Sequence, residues 1–100
     1  MFGDMMGKIQ EMQQKTEEIK KRLDNVQVDA DAENGKVKAV CTGNRKIVSI
    51  SISDELKNGD KEELEDLVIL AVNRALEKAE KLAEVEMAGA AKGMLPGLGL

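Results

Sequence analysis

Apolar residues return at alternating steps of four and three through the opening quarter of the chain. Met5, Ile9, Met12, Ile19, Leu23 and Val26 keep this rhythm, with Thr16 as the one polar member. A 3.5-residue period draws a narrow seam down one side of a helix, here roughly 30 Å long at about 1.5 Å per residue. The spacing predicts a helix from Asp4 or Met5 to Asp24. Its remaining faces are charged, and Asp4/Lys8, Glu11/Lys15, Glu17/Lys21 and Glu18/Arg22 are acid-before-base pairs at i,i+4. Each such pair supports the helix by roughly 0.2–0.5 kcal/mol. A seam this narrow is built to meet another helix, so the working unit is expected to hold more than one copy.

After Asp24-Asn25 the period falls to two. Val26, Val28, Ala30 and Ala32 alternate with Gln27, Asp29 and Asp31, the pattern of a half-buried strand. Asn34-Gly35 then marks a hairpin, because both residues tolerate positive φ. Val37, Ala39 and Cys41 alternate with Lys36, Lys38, Val40 and Thr42, and Gly43-Asn44-Arg45 supplies a second turn. A third strand runs from Ile47 to Ser53, with Val48, Ile50 and Ile52 on one face. Consecutive strands with tight turns predict a three-stranded antiparallel meander, aliphatic on one face and polar on the other.

Asp54-Glu55-Leu56 is expected to form a single turn closed by Asn58-Gly59. Asp60, with Glu63 three residues on, resembles a capping box and opens a second helix from Lys61 to about Met87. Leu64, Leu67, Val68, Ala71, Val72, Ala75, Ala79, Leu82 and Ala83 give it a broad apolar face, which Ile69, Leu70 and Leu76 widen further. The sheet can cover one side of such a helix, and a symmetry mate is the economical cover for the other. The fold class is α+β, a single α-β-β-β-α domain over residues 1–88. Residues 89–100, rich in Gly, Ala and Leu without periodicity, read as a flexible tail.

The chain's 100 residues bury only a modest core. Histidine is absent and Cys41 is alone, so the commonest general base, the commonest transition-metal ligand and any intrachain disulfide are missing. No apolar run reaches the length of a membrane span, and no signal-peptide pattern opens the chain; the expected compartment is the cytoplasm. No nucleophile–base arrangement, phosphate-cradling loop or metal-ligand spacing stands out, so an enzyme, a cofactor and a small-molecule substrate are not expected. Cys41 alternates with Val37 and Ala39 as a small core residue would.

Charge complicates a nucleic-acid reading. The net charge of −4 disfavours DNA, yet residues 1–58 are neutral as a whole and the acid concentrates in Asp60–Asp66, where a helix start favours it. Lys8, Lys15 and Arg22 recur every seven residues on one flank of the first helix, and Lys20 and Lys21 are read as thickening that flank's end. Arg45-Lys46 sits in the second turn, and Arg74, Lys78 and Lys81 lie along the second helix. Solvated helix faces carry such charges routinely, and several already have an acidic neighbour. One aromatic residue cannot build a single-strand stacking platform.

Taken in order, Met1-Phe2-Gly3, the Met/Gln-rich first helix, the Asn34-Gly35 hairpin, the stretch from Gly43 to Ile52, Glu65-Asp66-Leu67-Val68, Asn73-Arg74-Ala75 and the Gly/Met/Leu/Pro tail resemble the YbaB/EbfC family of bacterial nucleoid-associated proteins. The resemblance spans essentially the whole chain. It implies a homodimer of α-β-β-β-α protomers whose long helices project as arms, giving a tweezer-like shape proposed to hold duplex DNA. It also implies a nucleoid location and effects on nucleoid organisation and gene expression. The residues favoured for phosphate contact are Lys8, Lys15, Lys20, Lys21 and Arg22, with Arg74, Lys78 and Lys81. The acidic stretch Asp60–Asp66 is then expected to point away from DNA. The competing reading is a protein-interaction module, with arms that hold polypeptide as prefoldin-like chaperone subunits do. Three strands and a short first helix fit that alternative less well.

Overall fold

The computed structural model describes residues 2–94, in the order α1 (Phe2–Asp24), β1 (Gln27–Ala32), β2 (Val37–Thr42), β3 (Ile47–Ile52), α2 (Asp54–Lys57) and α3 (Lys61–Met94). This is the expected α-β-β-β-α order. The three strands form one antiparallel sheet in the order β1-β2-β3. The first hairpin turns at Glu33, Asn34 and Gly35, whose φ angles of 53°, 56° and 86° are all left-handed. Gly35 takes this conformation without steric cost, whereas Glu33 gives up about 1 kcal/mol or more to it.

α3 lies across β1 and β2. Ala71, Ala75 and Ala79, one per turn and fully buried, rest on Ala30, Ala32, Val37, Ala39 and Cys41. Single methyl groups let helix and sheet approach closely, but each contributes only about 0.8 kcal/mol on burial. Half of the buried core residues are alanine. The core is therefore thin, and Leu56 of α2 and Leu67 of α3 supply much of its bulk. Ser53 caps α2 by accepting the Leu56 N–H at 3.4 Å, and Asp60 caps α3 by accepting the Glu62 N–H at 3.2 Å.

α1 joins this body only at its C-terminal end. Ile19 and Leu23 are buried, while Met5, Met6, Ile9 and Met12 are exposed. The Gly43 N–H donates to the carbonyls of Leu23 and Val26, each at 3.0 Å. Asn44 Nδ2 donates to the Lys20 carbonyl at 2.7 Å and to the Asp24 carboxylate at 2.6 Å. The turn between β2 and β3 thus grips the last turn of α1, and the helix projects from it. The molecule extends 66 Å along its long axis, with a radius of gyration of 18.9 Å against about 13 Å for a compact domain of this length.

Two expectations change. α3 continues to Met94 instead of ending near Met87, so the segment read as a tail from Gly89 is helical at least that far. Ala88, Ala90 and Ala91 are strong helix formers, and isolated glycines cost only about 1 kcal/mol each. The rest of that expected tail, residues 95–100, lies outside the described residues. The second change concerns β3. Ile50 pairs with Ala39 and Ile52 with Val37, so they occupy the core-facing side of the sheet as predicted. Yet every residue of β3 is exposed, because α3 hardly reaches that strand.

Candidate nucleic-acid interface

A helix turns by about 100° per residue, so Lys20 stands roughly 160° from Arg22 around α1. The structure accordingly separates cations that adjacency in sequence groups together. Lys15 and Arg22 line a hollow with Ile19, Val85, Glu86 and Gly89. Lys20 lines another, on the opposite side of the seam, with Leu23, Arg45, Glu84 and Met87. Lys20 therefore does not thicken the Lys8–Lys15–Arg22 flank.

The flank of α1 that carries Lys8, Lys15 and Arg22 meets a matching stripe on α3. Arg74, Lys78, Lys81 and Val85 follow one another at steps of four and three, so they share one side of α3. Arg74 Nη1 donates to the Asp31 carbonyl at 2.9 Å and Lys78 Nζ to the Asp29 carbonyl at 2.8 Å, which fixes that side as the one next to β1. Val85 closes the hollow that holds Lys15 and Arg22. Six of the eight favoured cations thus follow one side of the molecule, from Arg74 through Lys81 to Arg22, Lys15 and Lys8.

Neighbours reduce this charge unevenly. Arg22 pairs with Glu86 of α3, and the head groups of Arg74 and Lys78 are engaged by β1. Among the described residues, Lys8, Lys15, Lys20, Lys21 and Lys81 stand in no ion pair. The structure also brings in Arg45, which the sequence places in a basic turn without favouring it as a contact. Asn44 bonded to the Lys20 carbonyl carries Arg45 to the Lys20 side of α1. The signal for this is the Gly43-Asn44 turn itself, whose partner on α1 cannot be read from spacing.

Nothing else in the described residues gathers chemistry of comparable extent. Cys41 is buried and its Sγ donates to the Ala75 carbonyl at 3.4 Å. Burial raises its thiol pKa above the ordinary value. No three His, Cys, Asp or Glu side chains among the described residues gather as metal ligands would, and no described helix is long and apolar enough to cross a membrane.

Comparison with known proteins agrees with this architecture. A nucleoid-associated protein of Flavobacterium johnsoniae is 45% identical over 94 residues, covering 94% of this chain and 88% of the other. One from Chlorobium phaeobacteroides is 44% identical over 96 residues, covering 96% and 86%. A crystal structure of a Helicobacter pylori protein shares the fold, with a TM-score of 0.68 at 18% identity over 76% of this chain and 89% of that one. The model of the YbaB/EbfC DNA-binding family matches residues 1–94, helix arm and body alike, and the chain belongs to that family.

Proposed function

We propose that the protein is a nucleoid-associated protein whose homodimer binds duplex DNA, chiefly through phosphates and with little sequence preference. The observation that carries this reading is the line of cations down one side of the body and arm. Lys8, Lys15, Arg22 and Lys81 are its contacts, with Lys20, Lys21 and Arg45 reaching a neighbouring strand or a second segment. Arg74 and Lys78 add positive potential at the body end while their head groups stay on β1. Flexible cations on helices suit phosphate gripping, which fixes position without reading bases. Nucleoid organisation, with effects on gene expression, follows from binding of this kind at many sites.

Acid placement supports the same orientation. Glu62, Glu63, Glu65 and Asp66 open α3, and Asp66 lies twenty residues before the Glu86–Arg22 contact, about 30 Å along the helix. That end faces away from the duplex.

The homodimer reading rests on the uncovered side of the body. Ile47, Val48, Ile50 and Ile52 are between 36% and 51% exposed, and Ile69 on α3 is 59% exposed. Ile69, Val72 and Leu76 share the flank of α3 that passes the Asn44-Arg45 turn, where Leu76 lies beside Arg45. β3 and this flank make an apolar floor and wall, with Arg45, Glu77 and Glu80 at the Leu76 end. A second copy covers them with the same surface.

A protein-interaction role is the second reading, favoured by Met5, Met6, Ile9 and Met12, exposed between 39% and 64% on the arm. Salt separates the two. Anisotropy of a labelled duplex, titrated across about 50–200 mM salt, is expected to show affinity falling steeply as counterions compete. Absence of binding at the lowest salt would leave DNA out of the function and turn attention to a polypeptide partner, whose apolar capture salt hardly weakens.

A further inference from the structure

The β1 edge of the sheet is occupied. Thr42 N–H bonds the Lys46 carbonyl and Ser53 N–H bonds the Lys36 carbonyl, so the even-numbered residues of β2 face β3. Val37, Ala39 and Cys41 therefore face β1, and their partners Ala32, Ala30 and Val28 face back. Gln27, Asp29 and Asp31 must hold their backbone groups outward, beyond the sheet. An outward row of this kind is a template for another strand.

Two of those outward carbonyls are the acceptors of Lys78 and Arg74. The spacing is matched. Four residues of helix rise about 6 Å, and two residues of strand rise about 6.8 Å, so cations at i,i+4 on α3 meet alternate carbonyls of β1. Both side chains are exposed, and nothing in the core requires them to be there.

We infer that Arg74 and Lys78 are guards of the β1 edge, holding it against pairing with β1 of a second copy. The second copy is the natural occupant because an identical edge would continue the sheet and extend the same inner face, Val28, Ala30 and Ala32. In that pairing Asp29 faces its counterpart, and the like charges resist it until salt screens them. Edge pairing is a contact separate from the β3 face, so it would join dimers into larger assemblies without dissolving them.

The test needs no DNA. R74M/K78M keeps long side chains and removes the donors. At about 0.5 M salt, sedimentation equilibrium is expected to show this variant at twice the wild-type mass or more, rising with concentration. Adding Asp29→Pro removes an outward N–H, leaves the bonds to β2 intact and should restore the wild-type mass; R74K/K78R, which keeps the donors, should never leave it. A wild-type mass for R74M/K78M with unchanged far-ultraviolet circular dichroism would overturn the inference, as would a larger species that Asp29→Pro fails to reverse. If R74M/K78M loses its helical signal, Lys78→Met alone is read by the same criteria.

Discussion

A β-carbon placed on Gly43 would stand 2.7 Å from Leu23 Cδ2 and 3.0 Å from the Leu23 carbonyl oxygen. The side chain could swing aside, but the carbonyl is held in place, since it accepts the Gly43 N–H. Gly43→Ala must therefore push the arm off the turn that grips it. The expected cost is about 1–3 kcal/mol, typical of overpacking. Calorimetry should show the thermal midpoint falling by about 4–8 °C for each kcal/mol of that cost. A midpoint within about 2 °C of wild type would mean that α1 is held by Ile19 and Leu23 alone.

Gly89 carries the opposite sign. It lies inside α3, and a β-carbon there would meet nothing within 4 Å. Gly89→Ala is expected to stabilise the protein by about 0.5–1 kcal/mol through the restricted backbone of the unfolded chain. Urea unfolding reads the difference. An unchanged midpoint would put the effective end of the helix near Met87, where the Gly-rich composition of the following residues places it.

The element order was legible because each period was long enough to be unambiguous and each turn carried its own residues. Asn34-Gly35 marked the hairpin correctly, although Glu33 shares its left-handed conformation for reasons no spacing reveals. The flank positions of the cations were less legible. Lys20, Lys21 and Arg22 are adjacent in sequence, yet helical rotation sends Lys20 toward Arg45 and Arg22 toward Glu86. Arg74 and Lys78 looked like solvent-facing charges because their acceptors are backbone carbonyls of a strand more than forty residues away. Ile50 and Ile52 were assigned the right face, but a register shift between Val40 and Cys41 sets Ile47, in place of Val48, opposite Cys41, and alternation says nothing about whether a helix is wide enough to cover three strands.

Substitution on that uncovered strand separates folding from association. Ile50→Lys places a charge where two copies are proposed to meet, and burying it unpaired should weaken the dimer by about 2 kcal/mol or more, roughly thirtyfold in dissociation constant. Because Ile50 is 43% exposed in the single chain, the circular dichroism of the protomer should change little. Ser51→Lys, on the opposite face of β3, is the control. Equal masses for both variants across concentration would remove β3 from the interface.

Cys41 supplies a pH dependence whose sign is fixed. Burial raises the thiol pKa above its ordinary value of 9.0. A raised folded-state pKa leaves stability intact below the unfolded value and removes it as pH rises, because the unfolded thiol ionises first. Wild type should lose stability above about pH 9 relative to Cys41→Ala, which has no thiol to ionise, while below about pH 8 the gap between them should stay constant. Urea midpoints measured from about pH 7 to pH 10 follow this gap. Parallel curves over the whole range would show that the thiol reaches solvent in the native state.

DNA-binding cations can be sorted by flank. Lys8 and Lys15 share the Arg22 flank of the arm by their seven-residue spacing and stand in no ion pair among the described residues, so removing them leaves the Arg22–Glu86 pair intact. K8A/K15A is expected to lower affinity for every duplex and to reduce the slope of log affinity against log salt by about one for each phosphate left without its cation. K20A/R45A tests the other flank in the same assay. If both pairs reduce the slope, the duplex is gripped from two sides of the arm, as a dimer closing on DNA requires. If only K8A/K15A does, the duplex lies along one side, and Lys20 and Arg45 balance Glu80 and Glu84, which line their hollow. A slope unchanged in both variants would exclude Lys8, Lys15, Lys20 and Arg45 as phosphate contacts and leave Lys21 and Arg22 as the cations of α1 to be tested.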